Sequence, residues 1–109
     1  MATEPDDFAY DEDKRGTNIE KHGIDFLDAV EVFAAPHFTE DRTRKEDGEE
    51  RKAAIGPIPE EVAPDHWSGE LIAVVFTWRG DTIRLISARR ANNDERQRYE
   101  DHFGGSTEG

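Results

Sequence analysis

The sequence contains no cysteine among its 109 residues, so it has no disulfide framework and no thiolate metal site. No apolar run approaches the roughly 20 residues that a membrane helix requires, and the acidic N-terminus does not resemble a secretory signal. Glycine-rich nucleotide loops and the nucleophile elbow are missing, and the histidines lack metal-ligand spacing. We therefore expect a cytoplasmic protein without a metal or other cofactor.

Positive charge is also scarce, because 14 Lys and Arg face 26 Asp and Glu, for a formal net charge of -12. Such acidity argues against a long DNA footprint, since phosphate binding draws on Lys and Arg. The charge is unevenly distributed, however. Residues 1–13 hold six acids and no Lys or Arg, whereas residues 79–98 hold six arginines and three acids. A local arginine patch on an acidic protein is better suited to a small anionic site.

The apolar residues, 34% of the chain, are clustered and periodic, which favours one folded domain. We expect this domain over residues 8–103, between a flexible acidic N-terminus at residues 1–7 and a flexible tail at residues 104–109. Residues 8–10 are predicted to form either a short strand or a hydrophobic staple.

Two helices are predicted near the N-terminus. The first covers residues 12–22 and ends at Gly23, where glycine relieves left-handed backbone strain. The second begins at a cap on Asp25 and stops before Pro36, with one apolar stripe along its length. Strands are predicted at residues 37–42, 50–58, 70–78 and 83–90, and a polar helix follows. This order indicates an α+β fold with a four-stranded antiparallel sheet and a C-terminal helix.

The last two strands form a hairpin that holds the strongest candidate site. With residues 80–81 as a two-residue loop, counting outward places Val75 opposite Ile86. One face of the hairpin is then apolar, while Arg79 and Arg84 lie together on the other face beside hydroxyl groups. Two fixed guanidinium groups favour an anion, although such a patch on a small domain also suits a protein partner.

Other side chains are candidates for chemistry. His22 is suited to proton transfer near neutral pH, or it only complements the negative end of the helix dipole. Glu50 and Arg51 combine a proton carrier with a charge clamp, or they form a solvated edge pair. At most one of the two faces a given site, because neighbouring strand residues point to opposite faces. Arg89 and Arg90 belong to a charge run that is usually a solvated surface.

Several motifs together follow a familiar pattern. Residues 21–23 are Lys-His-Gly, and residues 83–91 are Ile-Arg-Leu-Ile-Ser-Ala-Arg-Arg-Ala. With the apolar helix before Pro36 and the Glu-Arg pair at residues 50–51, they resemble the BrnT family of toxins from type II toxin–antitoxin modules. The resemblance spans residues 8–99.

The resemblance implies a RelE-like fold and a ribonuclease that cleaves RNA and arrests growth. It also implies a partner, a BrnA-like antitoxin with a ribbon-helix-helix domain, in a heterotetramer. The toxin then meets DNA only through that antitoxin, and no membrane is involved.

Metal-independent RNA cleavage by the 2′-hydroxyl needs an acid, a base and a group that stabilises the phosphorane. His22 and Glu50 are assigned to the proton transfers. Arg84 and Arg79 are assigned to the phosphate, because guanidinium groups form paired hydrogen bonds with its oxygens. The side chains predicted to bind the rest of the RNA are Lys21, Arg51, Arg89 and Arg90.

Three other functions fit the same residues. A non-catalytic binding module would dock an acidic or disordered partner on its arginine face. A decayed toxin would keep only the antitoxin interface, and an acidic DNA mimic is suggested by the net charge of -12.

Overall fold

The structure, a computed structural model, describes residues 7–104. The predicted flexible ends are residues 1–7 and 104–109, and all of these except Asp7 and Gly104 lie outside the described residues. The α-helices are α1 (Glu12–His22), α2 (Phe26–Ala29) and α3 (Asn93–Tyr99). The strands are β1 (Asp7–Ala9), β2 (Phe38–Asp41), β3 (Lys52–Pro57), β4 (Leu71–Arg79) and β5 (Thr82–Arg90). None of the described helices has both the length and the apolar character needed to span a bilayer.

The described sheet has five strands in the order β1-β5-β4-β3-β2, and β1 runs parallel to β5 while the other neighbours are antiparallel. The α+β class is confirmed, but the prediction of a four-stranded, wholly antiparallel sheet is wrong. The short strand that is one of the two predictions for residues 8–10 is present as β1, but three residues give no indication of the strand with which it pairs. Phe8 of β1 packs against Phe33, with 5.6 Å between the ring centroids.

The helices begin and end largely where their capping residues predict. α1 ends at Gly23 in the left-handed conformation, and the Asp25 carboxylate accepts a hydrogen bond from the first turn of α2. The second predicted helix is only partly α-helical, because Val30–Ala34 forms a 3-10 helix. The β-branched side chain of Val32 lowers α-helical propensity, and 3-10 turns are common at helix ends.

The hairpin of β4 and β5 contains a β-bulge. The four pairs nearest the turn match the prediction, but Val75 lies opposite Ser87 rather than Ile86. The uninterrupted register is therefore wrong beyond Phe76, because Ile86 is an extra, unpaired residue in β5. The bulge moves Ser87 to the same face as Val75 and places Ala88 in the core instead.

The two faces of the sheet bury separate clusters. We call the side covered by α2 the α2 face, and its buried strand residues are Ala54, Ile72, Val74, Phe76, Ile83, Leu85 and Ala88. We call the other side the α3 face, and its buried strand residues are Ala53, Ile55 and Ala73, with Tyr99 of α3 packed against them. Strand alternation and the observed pairing place Thr77, Arg79 and Arg84 on the α3 face.

Candidate active site

The contacts of the arginines single out one side chain. The chain has ten arginines, and nine of them have an intramolecular hydrogen bond, ion pair or other electrostatic contact. The tenth arginine is Arg84. It is partly buried, yet residues 7–104 provide no hydrogen-bond or ion-pair partner for its guanidinium. Burial penalises an uncompensated charge, so this position favours an anion from outside the chain.

Arg84 lies on β5, between β1 and β4, on the α3 face. It is opposite Thr77 of β4 and is also paired with Ala9 of β1. Arg79 lies on the same face, two pairs closer to the turn, so the structure brings the two predicted phosphate ligands onto one surface. The side chain of Arg79 is 58% exposed, and its Nη2 lies 3.4 Å from the carboxylate of Glu49. Such a contact between exposed groups is weak.

Glu49 borders this surface from the side of β3. The carboxylate of Glu49 also lies 3.5 Å from Nε of Arg51, so it is shared between two arginines. The Glu50 carbonyl accepts a hydrogen bond of 2.6 Å from the buried Thr77 hydroxyl, which fixes this segment next to β4. The exposed Glu50 helps to line a recess of about 130 Å³ together with Lys52 and Trp78, which strand pairing places on the α2 face, opposite to Arg84.

His22 and Lys21 line a different recess, of about 250 Å³, between α1 and β5. Its opposite wall is formed by Ile86 and Ser87 at the bulge. Glu50, Arg79 and Arg84 are not among its lining residues. The four predicted catalytic residues therefore lie around two recesses and the sheet surface, not in one pocket. In the described part of the chain, no hydrogen bond or ion pair joins His22 or Glu50 to Arg79 or Arg84.

Asn18 fixes α1, and with it His22, against β5. Its Nδ2 donates a hydrogen bond of 2.8 Å to the Ala88 carbonyl, and the Ala88 amide donates one of 3.0 Å to its Oδ1. Nδ2 also donates to the Ile24 carbonyl at 3.0 Å. The four-residue spacing of Asn18 and His22 places both on one side of α1, but the partner on β5 is 70 residues away and has no sequence signal.

Arg89 is engaged in a buried ion cluster. Its guanidinium forms two hydrogen bonds, of 2.8 and 2.9 Å, with the carboxylate of Glu95, which is completely buried. Arg42 donates a third hydrogen bond to this carboxylate, at 2.7 Å, and the backbone amide of Asn92 donates a fourth, at 2.8 Å. Burial opposes ionisation, but the hydrogen bonds from Arg89, Asn92 and Arg42 outweigh it and lower the pKa of Glu95 to about 2.

Arg89 and Glu95 have a structural role in this ion cluster. Arg89 holds the start of α3 on the sheet, and its predicted contact with RNA stays a prediction. Glu95 was not among the predicted site residues. It forms a capping box with Asn92, and the Asn-x-x-Glu spacing of that box was the available sequence signal.

Arg90 lies on the opposite side of the sheet from Arg84. It pairs with Ile72, which belongs to the α2 face, and its guanidinium carbon lies 5.1 Å from the centroid of the Trp67 ring. Its Nε is 3.3 Å from the carboxylate of Glu70. A phosphate bound at Arg84 is out of its reach, so the geometry does not favour the predicted role of Arg90 in RNA binding.

The carboxylates of this region do not converge on a metal position. Glu49 lies between arginines, Glu50 stands beside Lys52, and Glu95 is bound by two guanidinium groups. Within residues 7–104, no group of three or more His, Asp or Glu side chains is arranged to hold a metal ion.

Comparison with known proteins confirms the resemblance inferred from the sequence. Residues 10–95 match the model of a family described as ribonuclease toxin, BrnT, of type II toxin-antitoxin system. No match is found among curated proteins. A crystal structure of the Brucella abortus ribonuclease toxin BrnT is similar, with 32% sequence identity and a TM-score of 0.55 over 80% of this chain and 97% of that chain. The chain therefore belongs to the BrnT family of ribonuclease toxins of type II toxin–antitoxin systems.

Proposed function

We propose that this protein is an endoribonuclease that cleaves RNA by attack of the 2′-hydroxyl, without a metal ion. Membership of a ribonuclease toxin family supports RNA as the substrate. The observation that carries the proposal is Arg84, a partly buried guanidinium on an open sheet face of a protein with a net charge of -12. A scissile phosphate supplies the missing counter-charge.

Arg84 and Arg79 stabilise the phosphorane in this proposal. When the 2′-oxygen attacks the phosphorus, negative charge grows on the non-bridging oxygens. A guanidinium cannot lose its proton and presents two parallel N–H donors, so it binds these oxygens more strongly as the charge develops. Arg79 must first give up its contact with Glu49, which its exposure makes easy.

His22 and Glu50 are the proposed proton carriers. Along the sheet the two residues lie on opposite sides of β5, because the backbone carbonyl of Glu50 accepts the Thr77 hydroxyl of β4 and His22 shares a recess with Ser87 at the outer side of β5. The Glu50 carboxylate must turn from its recess toward the α3 face to act there. An in-line displacement removes a proton on one side of the phosphorus and delivers one on the other. The arrangement suits an RNA strand that lies across β5, and Lys21 and Arg51 are proposed to bind its backbone.

We further propose that the protein acts as a growth-inhibiting toxin in the cytoplasm, where cellular RNA is available. A cognate antitoxin, with a ribbon-helix-helix domain and in a heterotetramer, neutralises it. Expression of the chain alone is expected to arrest growth, and co-expression of the short reading frame next to its gene is expected to restore it.

Incubation of the purified protein with RNA in EDTA tests the nuclease. We expect fragments that end in 2′,3′-cyclic phosphate. Arg84→Ala is expected to lower the cleavage rate about 100- to 1,000-fold, the usual loss when one transition-state contact is removed. Arg96→Ala is the matched control, because Arg96 is an exposed arginine of α3 whose carboxylate contact with Glu70 is 3.7 Å long.

Circular dichroism and urea unfolding establish that each variant is folded. Intact RNA after incubation with the folded parent protein would overturn the nuclease and leave a binding module or a decayed toxin. Equal cleavage by the folded Arg84→Ala variant and the parent would remove Arg84 from the mechanism. His22→Gln is also expected to slow cleavage, and an unchanged rate would return His22 to its role at the end of α1.

A further inference from the structure

We propose that the recess between α1 and the bulge of β5 is a second phosphate-binding site, for the phosphodiester that follows or precedes the one at Arg84 on the same RNA strand. This inference rests on the proposed function. It adds Lys14, Thr17 and Ser87, which had no predicted role, to the residues that bind RNA.

The composition of the recess favours a phosphate. Lys14, Thr17 and Lys21 lie three and four residues apart, so they share one side of α1 and all line the recess. Ser87 adds a second hydroxyl from β5. Within residues 7–104 neither lysine has a carboxylate at ion-pair distance, although the chain has 26 acids, and Asp13 is the one acid among the lining residues.

The bulge connects this recess to Arg84. Because Ile86 is unpaired, Ser87 falls on the same face as Arg84, and it is also part of the wall of the recess. Ser87 is three residue steps along the strand from Arg84, a distance of about 10 Å. One short RNA strand can therefore contact both places without crossing the sheet.

The size of the recess also limits the ligand. Its volume is about 250 Å³, below the roughly 300–1,000 Å³ of pockets that enclose whole organic ligands. Its walls are formed by two lysines, two hydroxyls, a histidine, the amide of Asn18 and the carboxylate of Asp13, and Ile86 is the single aliphatic side chain that lines it. A phosphate with part of its ribose fits this description better than a stacked base does.

Binding of an uncleavable RNA tests the second site. The probe is a fluorescein-labelled tetranucleotide with 2′-O-methyl riboses, which lack the attacking hydroxyl, and its Kd is measured at several salt concentrations. Lys14→Gln is expected to raise the Kd about tenfold and to reduce the slope of log K against log salt by about 0.7, the value for one lost phosphate contact on a single strand. Lys45→Gln, an exposed lysine of another segment, is the matched control.

A dinucleotide probe with one phosphate sharpens the test, because it occupies Arg84 alone and is expected to bind Lys14→Gln and the parent equally. If Lys14→Gln and Lys45→Gln bind the tetranucleotide with the same Kd and salt slope, while Arg84→Ala weakens binding, the second site is wrong and the proposed function stands. If the folded parent protein binds neither probe, the proposed function itself fails.

Discussion

The buried charge of Glu95 makes a quantitative prediction about stability. Glu95→Gln keeps the shape of the side chain and an oxygen that accepts the Asn92 amide, but it removes the charge that Arg89 and Arg42 share. The fall in the pKa of Glu95 from 4.5 to about 2 corresponds to about 3 kcal/mol of folding free energy at neutral pH. We expect the free energy of unfolding at pH 7 to decrease by about this amount.

The pH dependence follows from the direction of the shift. Because folding lowers the pKa, the contribution of Glu95 is fully present above pH 4.5 and is lost as the pH falls toward 2. In urea unfolding, the difference between the parent and Glu95→Gln is expected to shrink from about 3 kcal/mol at pH 7 to about 1 kcal/mol at pH 3. Glu20→Gln, on the exposed side of α1, is the control and is expected to change neither value. A difference that is the same at both pH values, or one near zero at pH 7, would refute the electrostatic account.

Two further predictions concern backbone positions. Gly56→Ala places a Cβ 2.8 Å from the Pro36 carbonyl oxygen, so we expect it to lower the urea midpoint by an amount equivalent to about 2 kcal/mol. Gly16→Ala, in open space within α1, is its control and is expected to raise stability by up to about 1 kcal/mol. Asn18→Ala leaves two buried backbone groups of Ala88 without partners, and we expect a loss of about 3 kcal/mol together with faster hydrogen exchange at the Ala88 amide.

The elements that sequence reasoning predicted correctly are governed by neighbouring residues. Gly23 ends α1 and Asp25 caps α2 through contacts within a few positions, so a local pattern contains the information. β1 and the bulge at Ile86 depend instead on distant segments. A short strand at residues 8–10 is one of two predicted alternatives, but its parallel pairing depends on β5, about 75 residues later, and no pattern within three residues reveals that pairing.

The candidate site shows the same division. Alternation along a hairpin was enough to place Arg79 and Arg84 on one face, because the pairs near the turn precede the bulge. The partners of Arg89 and Arg90 were beyond prediction for a physical reason. They depend on the burial of Glu95 under α3 and on the loop that carries Trp67 over the α2 face. The position of His22 relative to the arginine pair depends on the docking of α1 on β5, to which the hydrogen bonds between Asn18 and Ala88 contribute.

The contact between Asn18 and Ala88 has a consequence for solubility. β1 pairs with β5 only as far as Arg84, so the rest of this edge of β5 has no neighbouring strand. An unpaired strand edge is a template on which another polypeptide can add a strand and begin to aggregate. At Ala88 the carboxamide of Asn18 satisfies the amide and the carbonyl that an incoming strand would use. One polar side chain thus blocks intermolecular strand pairing at this position of the β5 edge, where the described residues supply no neighbouring strand.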